Sequence, residues 1–210
     1  SLIELPACCP VCQSPIVQDD KGVIARCSGD VYCEAQVQRR LAHFVSRKAM
    51  NADGLGERWL EQLLEKGLIK HSADLYDLTA EKILAANIEG MGEKLADNII
   101  AAITKAKHTT LQRFIYALGI RGVGEGTSLA LAQYFGTLET IKSADEEALK
   151  QVPDIGEVSA KWIVAYFSQE IHLKQLEQFL AAGITWPIID IEQAQHQPLV
   201  GQSWVLTGTL

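Results

Sequence analysis

The stretch Gly122-Val-Gly-Glu125 is one of four related stretches whose spacing decides the fold of this chain. The other three are Gly54-Leu-Gly-Glu57, Gly90-Met-Gly-Glu93 and Asp154-Ile-Gly-Glu157. The second glycines of the four stretches, at positions 56, 92, 124 and 156, are 36, 32 and 32 residues apart. A shared period of this size is typical of a supersecondary unit that repeats along the chain.

The residues around the glycines predict pairs of helices joined by tight turns. From residue 50 to about residue 185, Leu, Ile and Ala recur at the i, i+3, i+4 spacing of a helix face. A Gly-apolar-Gly turn requires positive φ or the absence of a Cβ atom, and the apolar residue pins the turn to its helices. The following glutamate lies where the helix dipole favours a carboxylate. The alternative is a plain helical bundle whose connections happen to contain glycine, but four copies in register disfavour it.

Each predicted turn offers backbone N–H groups that suit an anion such as phosphate. The pattern resembles the helix-hairpin-helix motif, which holds the DNA sugar–phosphate backbone without reading bases. Gly54 and Asp154 are poorer phosphate sites, because the first repeat carries Trp59-Leu60 where a small residue is expected and the fourth lacks the first glycine. The predicted DNA contacts in the turns are Gly90, Gly92, Lys94, Arg121, Gly122, Gly124 and Gly156.

The net charge of the chain argues against binding to nucleic acid, but one local stretch is basic. The formal net charge is −7, and the composition is globular, with 48% hydrophobic and 21% charged residues. A dense basic stretch nevertheless stands near the N-terminal end, formed by Arg39, Arg40, Arg47 and Lys48. A solvated helix face is the ordinary explanation of such a stretch. We expect these four side chains to add DNA contacts if the partner is a polyanion.

All five cysteines lie within the first 33 residues, in a pattern that predicts a structural zinc site. The expected ligands are Cys9, Cys12, Cys27 and Cys33, because a Cys-Pro-x-Cys turn supplies two adjacent corners of a tetrahedron. Cys8 could replace Cys9, but we prefer Cys9 and leave Cys8 free. An odd count disfavours a disulfide framework, and buried unliganded thiols or a redox pair are the remaining alternatives. Four cysteine ligands leave no open position for chemistry.

No catalytic residue is predicted in this chain. Asn51-Ala-Asp-Gly54 resembles the K-x-D-G motif of adenylating enzymes, but an asparagine amide cannot form the phosphoramide that a lysine forms. None of the five histidines stands beside a nucleophile or a second likely ligand. No run of about 18 apolar residues occurs, so we expect no membrane partner and a cytoplasmic location.

The order of these parts resembles the C-terminal half of bacterial NAD-dependent DNA ligase. The Cys9–Cys33 spacing, followed by His43-Phe-Val-Ser-Arg-Lys-Ala-Met50, carries the resemblance. It implies a mainly α fold, in which a small four-Cys zinc β-ribbon precedes a helical domain of four helix-hairpin-helix units. It further implies that nicked duplex DNA is bound regardless of sequence. NAD and Mg²⁺ would act elsewhere, with the adenylation and OB domains of the same polypeptide as partners and the bacterial nucleoid as the location.

The resemblance also sets the expected domain boundaries. Residues 1–8 end a preceding domain, 9–49 form the zinc finger and basic helix, and 50–185 form the helix-hairpin-helix domain. Residues 186–198 are a linker, and 199–210 are the first strand of a truncated BRCT domain. The alternative function is a non-enzymatic module that binds DNA structures, such as the hairpin-bearing part of a repair nuclease.

Overall fold

The computed structural model describes residues 5–18 and 24–188, so most of the predicted linker and the whole predicted BRCT strand lie outside it. Within the described residues, two short strands are followed by ten α-helices, which confirms the predicted mainly α fold. None of the helices in this part of the chain is both long and apolar enough to cross a membrane.

The N-terminal part is a small antiparallel β-ribbon. Strands β1 (Ile16–Gln18) and β2 (Ala25–Cys27) pair so that Ile16 lies opposite Cys27. A 3₁₀ helix at Asp30–Tyr32 then leads through Cys33 into helix α1. The described side chains of the ribbon bury almost no apolar surface apart from the cysteines. The ribbon therefore depends on its cysteine cluster rather than on a hydrophobic core.

The rest of the structure is a helical body with one continuous core. Its helices are α1 (Glu34–Val45), α2 (Glu57–Glu65), α3 (Ala80–Ala85), α4 (Glu93–Ala106), α5 (Leu111–Ala117), α6 (Glu125–Phe135), α7 (Leu138–Ser143), α8 (Glu146–Leu149), α9 (Glu157–Ser168) and α10 (Glu170–Ala181). The four predicted hairpins join the end of α1 to α2, α3 to α4, α5 to α6, and α8 to α9. We number them as turns 1 to 4.

The four turns share one hydrogen bond and one backbone conformation. The N–H of the central apolar residue donates to the carbonyl three residues earlier, as in Val123 to Ile120 at 3.0 Å. The residue before the apolar one is left-handed in every turn; the φ values are 90° at Gly54, 79° at Gly90, 77° at Gly122 and 64° at Asp154. The second glycine is instead the extended N-cap of the next helix, with φ between −99° and −76°.

Within each Gly-apolar-Gly or Asp-apolar-Gly stretch, only the first residue has positive φ. The prediction of positive φ is therefore wrong for the second glycines. The physical reason is that an N-cap residue takes extended backbone angles while its carbonyl accepts the first helical hydrogen bond. The carbonyl of Gly124, for example, accepts from Ser128 N–H at 2.8 Å. Extended angles are open to any residue, so these glycines are not required by backbone strain.

The turns associate in two pairs. A Cβ atom on Gly90 would lie 3.7 Å from side-chain atoms of Arg58 and Trp59 on α2, so turn 2 packs against the first unit. A Cβ atom on Gly122 would lie 3.1 Å from Ser159 Oγ on α9, so turn 3 packs against the fourth unit. The helical body thus contains two tandems, each made of two consecutive units.

Aromatic stacking and one arginine join the tandems through α1. Phe179 of α10 stacks on Phe44 of α1 with ring centroids 5.0 Å apart and meets Phe114 of α5 edge-on at 5.7 Å. Arg113 of α5 donates from Nε to the Ala49 carbonyl at 2.8 Å, and its guanidinium also bonds the Arg47 carbonyl. The segment after α1 is consequently tied to the second tandem as well as to the first.

Turn 3 provides a test of this backbone assignment. We expect Gly122→Ala to lower the free energy of unfolding by about 1–2 kcal/mol, because alanine resists left-handed angles and its Cβ would crowd Ser159 at 3.1 Å. Gly126→Ala is the control, since Gly126 lies inside α6 with open space around it. That change should stabilise the protein by roughly 0.5–1 kcal/mol. Urea denaturation measures the change in the free energy of unfolding of each variant. Two changes of the same sign would contradict the assignment.

Candidate zinc centre and nucleic-acid interface

The four predicted zinc ligands are brought together at one end of the ribbon. The Sγ atoms of Cys9, Cys12, Cys27 and Cys33 all lie within 4.8 Å of one another. Two of the separations are 4.0 Å (Cys9 to Cys33) and 3.3 Å (Cys12 to Cys27). A tetrahedral zinc ion with Zn–S distances of ~2.3 Å sets its sulfurs about 3.8 Å apart. The arrangement fits zinc, while Cys8 is exposed and stands outside the cluster.

Local backbone structure positions each ligand. Cys9 and Cys12 share a turn that is closed by the Gln13 N–H donating to the Cys9 carbonyl at 2.9 Å. Cys27 ends β2, and Cys33 is the N-cap of α1. Gly29 is buried against the cluster, because a Cβ atom there would lie 2.7 Å from the Cys12 sulfur. The cluster is therefore held by the ribbon on one side and by α1 on the other.

The surroundings of the sulfurs shift the pKa values of the cysteines in opposite directions. A hydrogen bond from the Ser14 hydroxyl, followed by one from its backbone, lowers the pKa of Cys12 to about 6. The Gly29 N–H favours the thiolate of Cys27, but burial and the neighbouring cysteines raise its pKa to about 11. Four thiolates so close together repel one another unless a divalent ion neutralises them. With four cysteine ligands the site is closed, and its zinc is structural.

The predicted basic stretch on and after α1 is divided by internal contacts. Arg40 forms an ion pair with Asp30 of the ribbon and is partly buried. Lys48 Nζ lies 2.9 Å from a carboxylate oxygen of Glu125, the first residue of α6. Arg39 and Arg47 are exposed, and their guanidinium groups contact no acid within the described residues. Arg40 and Lys48 are thus engaged within the chain.

The helices that follow the four turns begin without side-chain caps. Helices α3, α5, α7 and α8 each begin with a threonine or aspartate whose side chain accepts a backbone N–H; these residues are Thr79, Thr110, Thr137 and Asp145. Helices α2, α4, α6 and α9 begin instead with glycine and have no such bond. In turn 2, the N–H groups of Gly92, Glu93 and Lys94 find no acceptor in the described part of the chain.

The space in front of these helix starts is open. A Cβ atom on Gly56, Gly92, Gly124 or Gly156 would meet nothing within 4 Å. The predicted contacts Gly90, Lys94, Arg121 and Gly122 are exposed beside them. Each turn therefore presents free backbone donors at the positive end of a helix, which is an arrangement that accepts an anion.

Two arginine–tryptophan pairs flank the turns, and neither pair is predicted from the sequence. The guanidinium carbon of Arg121 lies 4.0 Å from the ring centroid of Trp162, and that of Arg58 lies 4.9 Å from the ring of Trp59. Each pair stands near the contact between two turns of one tandem. The one signal in the sequence was Trp59 itself, which occupies a position where the repeat leads one to expect a small residue.

Family models match the same parts of the chain. The model for the NAD-dependent DNA ligase C4 zinc finger domain matches residues 9–35. A SAM-like helix-hairpin-helix tandem matches residues 46–105, and a helix-hairpin-helix motif matches residues 113–176. These two ranges coincide with the two tandems of the helical body.

Curated relatives match over the whole chain. It is 51% identical over 210 residues to a DNA ligase of Acinetobacter baumannii (strain AYE) and 50% identical to one of Acinetobacter baylyi. A DNA ligase of Psychrobacter sp. (strain PRwf-1) is 47% identical. In each case the match covers 100% of this chain but only 30–31% of the relative. The chain thus spans a little under a third of the length of these ligases.

Metal analysis of cysteine variants tests the zinc assignment. We expect one zinc ion per chain. Cys27→Ser should lose the ion, because the apparent binding free energy of a structural zinc site, about 10–16 kcal/mol, depends on its full set of ligands. Cys8→Ser serves as the control and should retain the ion, since Cys8 is outside the cluster. Inductively coupled plasma mass spectrometry gives the stoichiometry of each. Zinc loss from the Cys8 variant would overturn the ligand set.

The geometry and the matches agree part by part along the chain. The four-cysteine cluster falls in the ligase zinc finger range, and the paired turns fall in the helix-hairpin-helix ranges. The predicted structural zinc is therefore confirmed. The predicted BRCT strand lies outside the described residues and stays a prediction. The chain is thus similar, over its whole length, to a segment of DNA ligases, and it carries a match to the zinc finger of the NAD-dependent enzymes together with helix-hairpin-helix repeats.

Proposed function

We propose that this chain is the part of an NAD-dependent DNA ligase that grips duplex DNA around a nick, independently of sequence. The observation that carries the proposal is the set of four uncapped helix starts, each opened by a glycine. NAD, Mg²⁺ and the reacting lysine would belong to adenylation and OB domains elsewhere in the same polypeptide. The location would be the bacterial cytoplasm, at the nucleoid.

The second glycine of each turn is not needed for folding, which supports a role in contact with a partner. Its backbone is extended, so strain does not demand glycine, and an added Cβ would touch no protein atom within 4 Å. What glycine does provide is access, because a partner can approach the backbone N–H groups without meeting a side chain. DNA phosphates are anions of the right size and charge for such groups, and contacts to phosphates carry no sequence information.

The acidic residues beside the turns are neutralised at two of the four positions. Glu125 and Glu157 follow the second glycines of turns 3 and 4, where each carboxylate would repel a phosphate. Lys48 pairs with Glu125 at 2.9 Å, and Lys161 pairs with Glu157 at 2.6 Å. Lys48 thus counters a carboxylate beside turn 3, and we keep it as a predicted DNA contact. The other side chains that would add phosphate contacts are Lys94, Arg121, Arg39, Arg40 and Arg47.

The ribbon would link the catalytic domains to the helical body and so fix the position of one relative to the other. Cys33 is at once a zinc ligand and the N-cap of α1, and Arg40 binds Asp30 across the same junction. Helix α1 continues into the core through Phe44. We keep residues 9–49 and 50–185 as the two functional units, with α1 packed into both. The ligase zinc finger match favours this function over a stand-alone module of a repair nuclease.

Valine at the second glycine of a turn should separate an effect on DNA binding from an effect on folding. Gly92→Val and Gly124→Val place a side chain where phosphate would approach, and each should weaken binding of a nicked duplex roughly tenfold, since a hydrogen bond to a charged group contributes about 1.5–3 kcal/mol. Thermal stability should change little, because the angles are extended and the space is open. Fluorescence anisotropy with two duplexes of unrelated sequence measures the affinity.

The matched control for these variants is Ala101→Val, which puts the same side chain on the exposed part of α4, two helical turns from turn 2. It should bind DNA as the parent protein does. Unchanged affinity in folded Gly92 and Gly124 variants would count against the hairpin interface, as would a loss of affinity that merely follows a loss of stability.

The chain by itself should not react with NAD. Asn51 stands where an adenylated lysine would be required, and it lies in a left-handed turn with φ of 55°. Incubation with NAD and Mg²⁺ should therefore add no AMP to any lysine, as followed by mass spectrometry of the intact protein. A full-length Acinetobacter baumannii ligase is the positive control. An AMP adduct on this chain would show that the adenylating machinery is present here after all.

A further inference from the structure

A cleft of about 1030 Å³ lies between the zinc ribbon, α1 and the second tandem. The ribbon contributes Val17 and Arg26, α1 contributes Arg39, and α9 contributes Val158 and Trp162. Its volume is at the upper end of small-molecule pockets, which is room for a few unstacked nucleotides. Neither the zinc centre nor the helix starts of the turns account for this cleft.

The cleft concentrates positive charge in an acidic chain. Four arginines line it, namely Arg26, Arg39, Arg40 and Arg121, although the chain has 26 acidic and 19 basic residues. Among the described lining residues, the one carboxylate is that of Asp30, and Arg40 already pairs with it. Arg26 and Arg39 are exposed and form no ion pair with any residue that the structure describes. This surface therefore has the charge to attract a polyanion.

Flat and apolar groups lie between these arginines. Trp162 is 37% exposed, and the Arg121 guanidinium rests 4.0 Å from its ring centroid. Val17 and Val158 are 51% and 69% exposed on opposite walls. Cationic groups interleaved with aromatic surface are the combination that holds single-stranded nucleic acid, since phosphates meet the arginines and bases stack on rings or guanidinium planes.

We propose that this cleft binds a single DNA strand where it leaves the duplex beside turns 3 and 4. Two positions link the cleft to those turns. Arg121 directly precedes Gly122 of turn 3, and Val158 lies in the first helical turn after Gly156 of turn 4. These two positions place the cleft directly beside turns 3 and 4, where a strand displaced from a duplex on the turns would leave it. The inference rests on the proposed function for its partner, DNA, but assigns that partner a second surface.

Anisotropy with three labelled probes tests the assignment on the zinc-loaded chain. The probes are a short oligothymidylate, a nicked duplex, and the same duplex with a single-stranded flap at the nick. Arg26→Ala combined with Arg39→Ala should weaken oligothymidylate binding at least fivefold and weaken nicked-duplex binding by a smaller factor, since Arg39 is itself a predicted DNA contact. The slope of log affinity against log salt should flatten by about 1.4, since each single-strand phosphate contributes ~0.7. The flap should strengthen duplex binding in the parent only.

The matched control removes the same charge elsewhere. Lys105→Ala combined with Lys142→Ala changes two exposed lysines that do not line the cleft, and it should bind all three probes as the parent does. Trp162→Ala should weaken oligothymidylate binding, whereas Trp162→Phe should largely preserve it, because a ring remains for stacking. Thermal melts and zinc content establish that each variant is folded.

Three results would overturn the cleft assignment. The first is a folded arginine double variant that binds oligothymidylate as tightly as the parent. The second is a loss no larger than that of the lysine control. The third is full displacement of the oligothymidylate by AMP or inorganic phosphate at similar concentration, which would show a site for small anions. Gly92→Val separates the two proposals, since it should lower the affinity for the duplex and leave the affinity for oligothymidylate unchanged. A variant with unchanged duplex affinity would contradict the hairpin interface but not the cleft.

Discussion

One left-handed residue at the start of each hairpin turn is the constraint on which the rest of the structure depends. It reverses the chain so that the next apolar residue packs against the core and hydrogen-bonds back to the carbonyl three residues earlier. The following glycine is then extended and starts a new helix pointing away from the turn. Because this happens four times, four helix starts face outward and the core stays continuous.

Much of this architecture could be predicted from the sequence, because it depends on local spacing. The cysteine cluster follows from a Cys-x2-Cys pair and two later cysteines, and the hairpins follow from a period near 32 residues. The choice of left-handed residue was harder, because glycine adopts either hand at little cost. Asp154 was the informative position. Aspartate tolerates left-handed angles where most residues do not. An aspartate in one stretch at the position that holds glycine in the other three therefore indicates that this position is the left-handed one.

Contacts between distant parts of the chain could not be predicted in this way. Lys48 and Glu125 are 77 residues apart, and Arg113 reaches a carbonyl 64 residues away. A basic stretch in sequence looks like one patch, yet the fold assigns its members to different neighbours. Arg40 closes a junction, Lys48 neutralises a carboxylate, and Arg39 faces a cleft. Side-chain charge alone does not reveal these differences, because each depends on which element the fold brings opposite.

Helix α1 has two ends with different attachments, and this affects how the protein opens. Its first residues follow Cys33, so their order depends on the metal, whereas Leu41, Phe44 and Val45 are buried in the helical body. Two cooperative units therefore share one helix. Amide hydrogen exchange along α1 would rise in steps, with its first turn exchanging together with the ribbon and its last turn together with the core. A chelator would melt the ribbon and the first turn of α1 while the paired turns stayed folded.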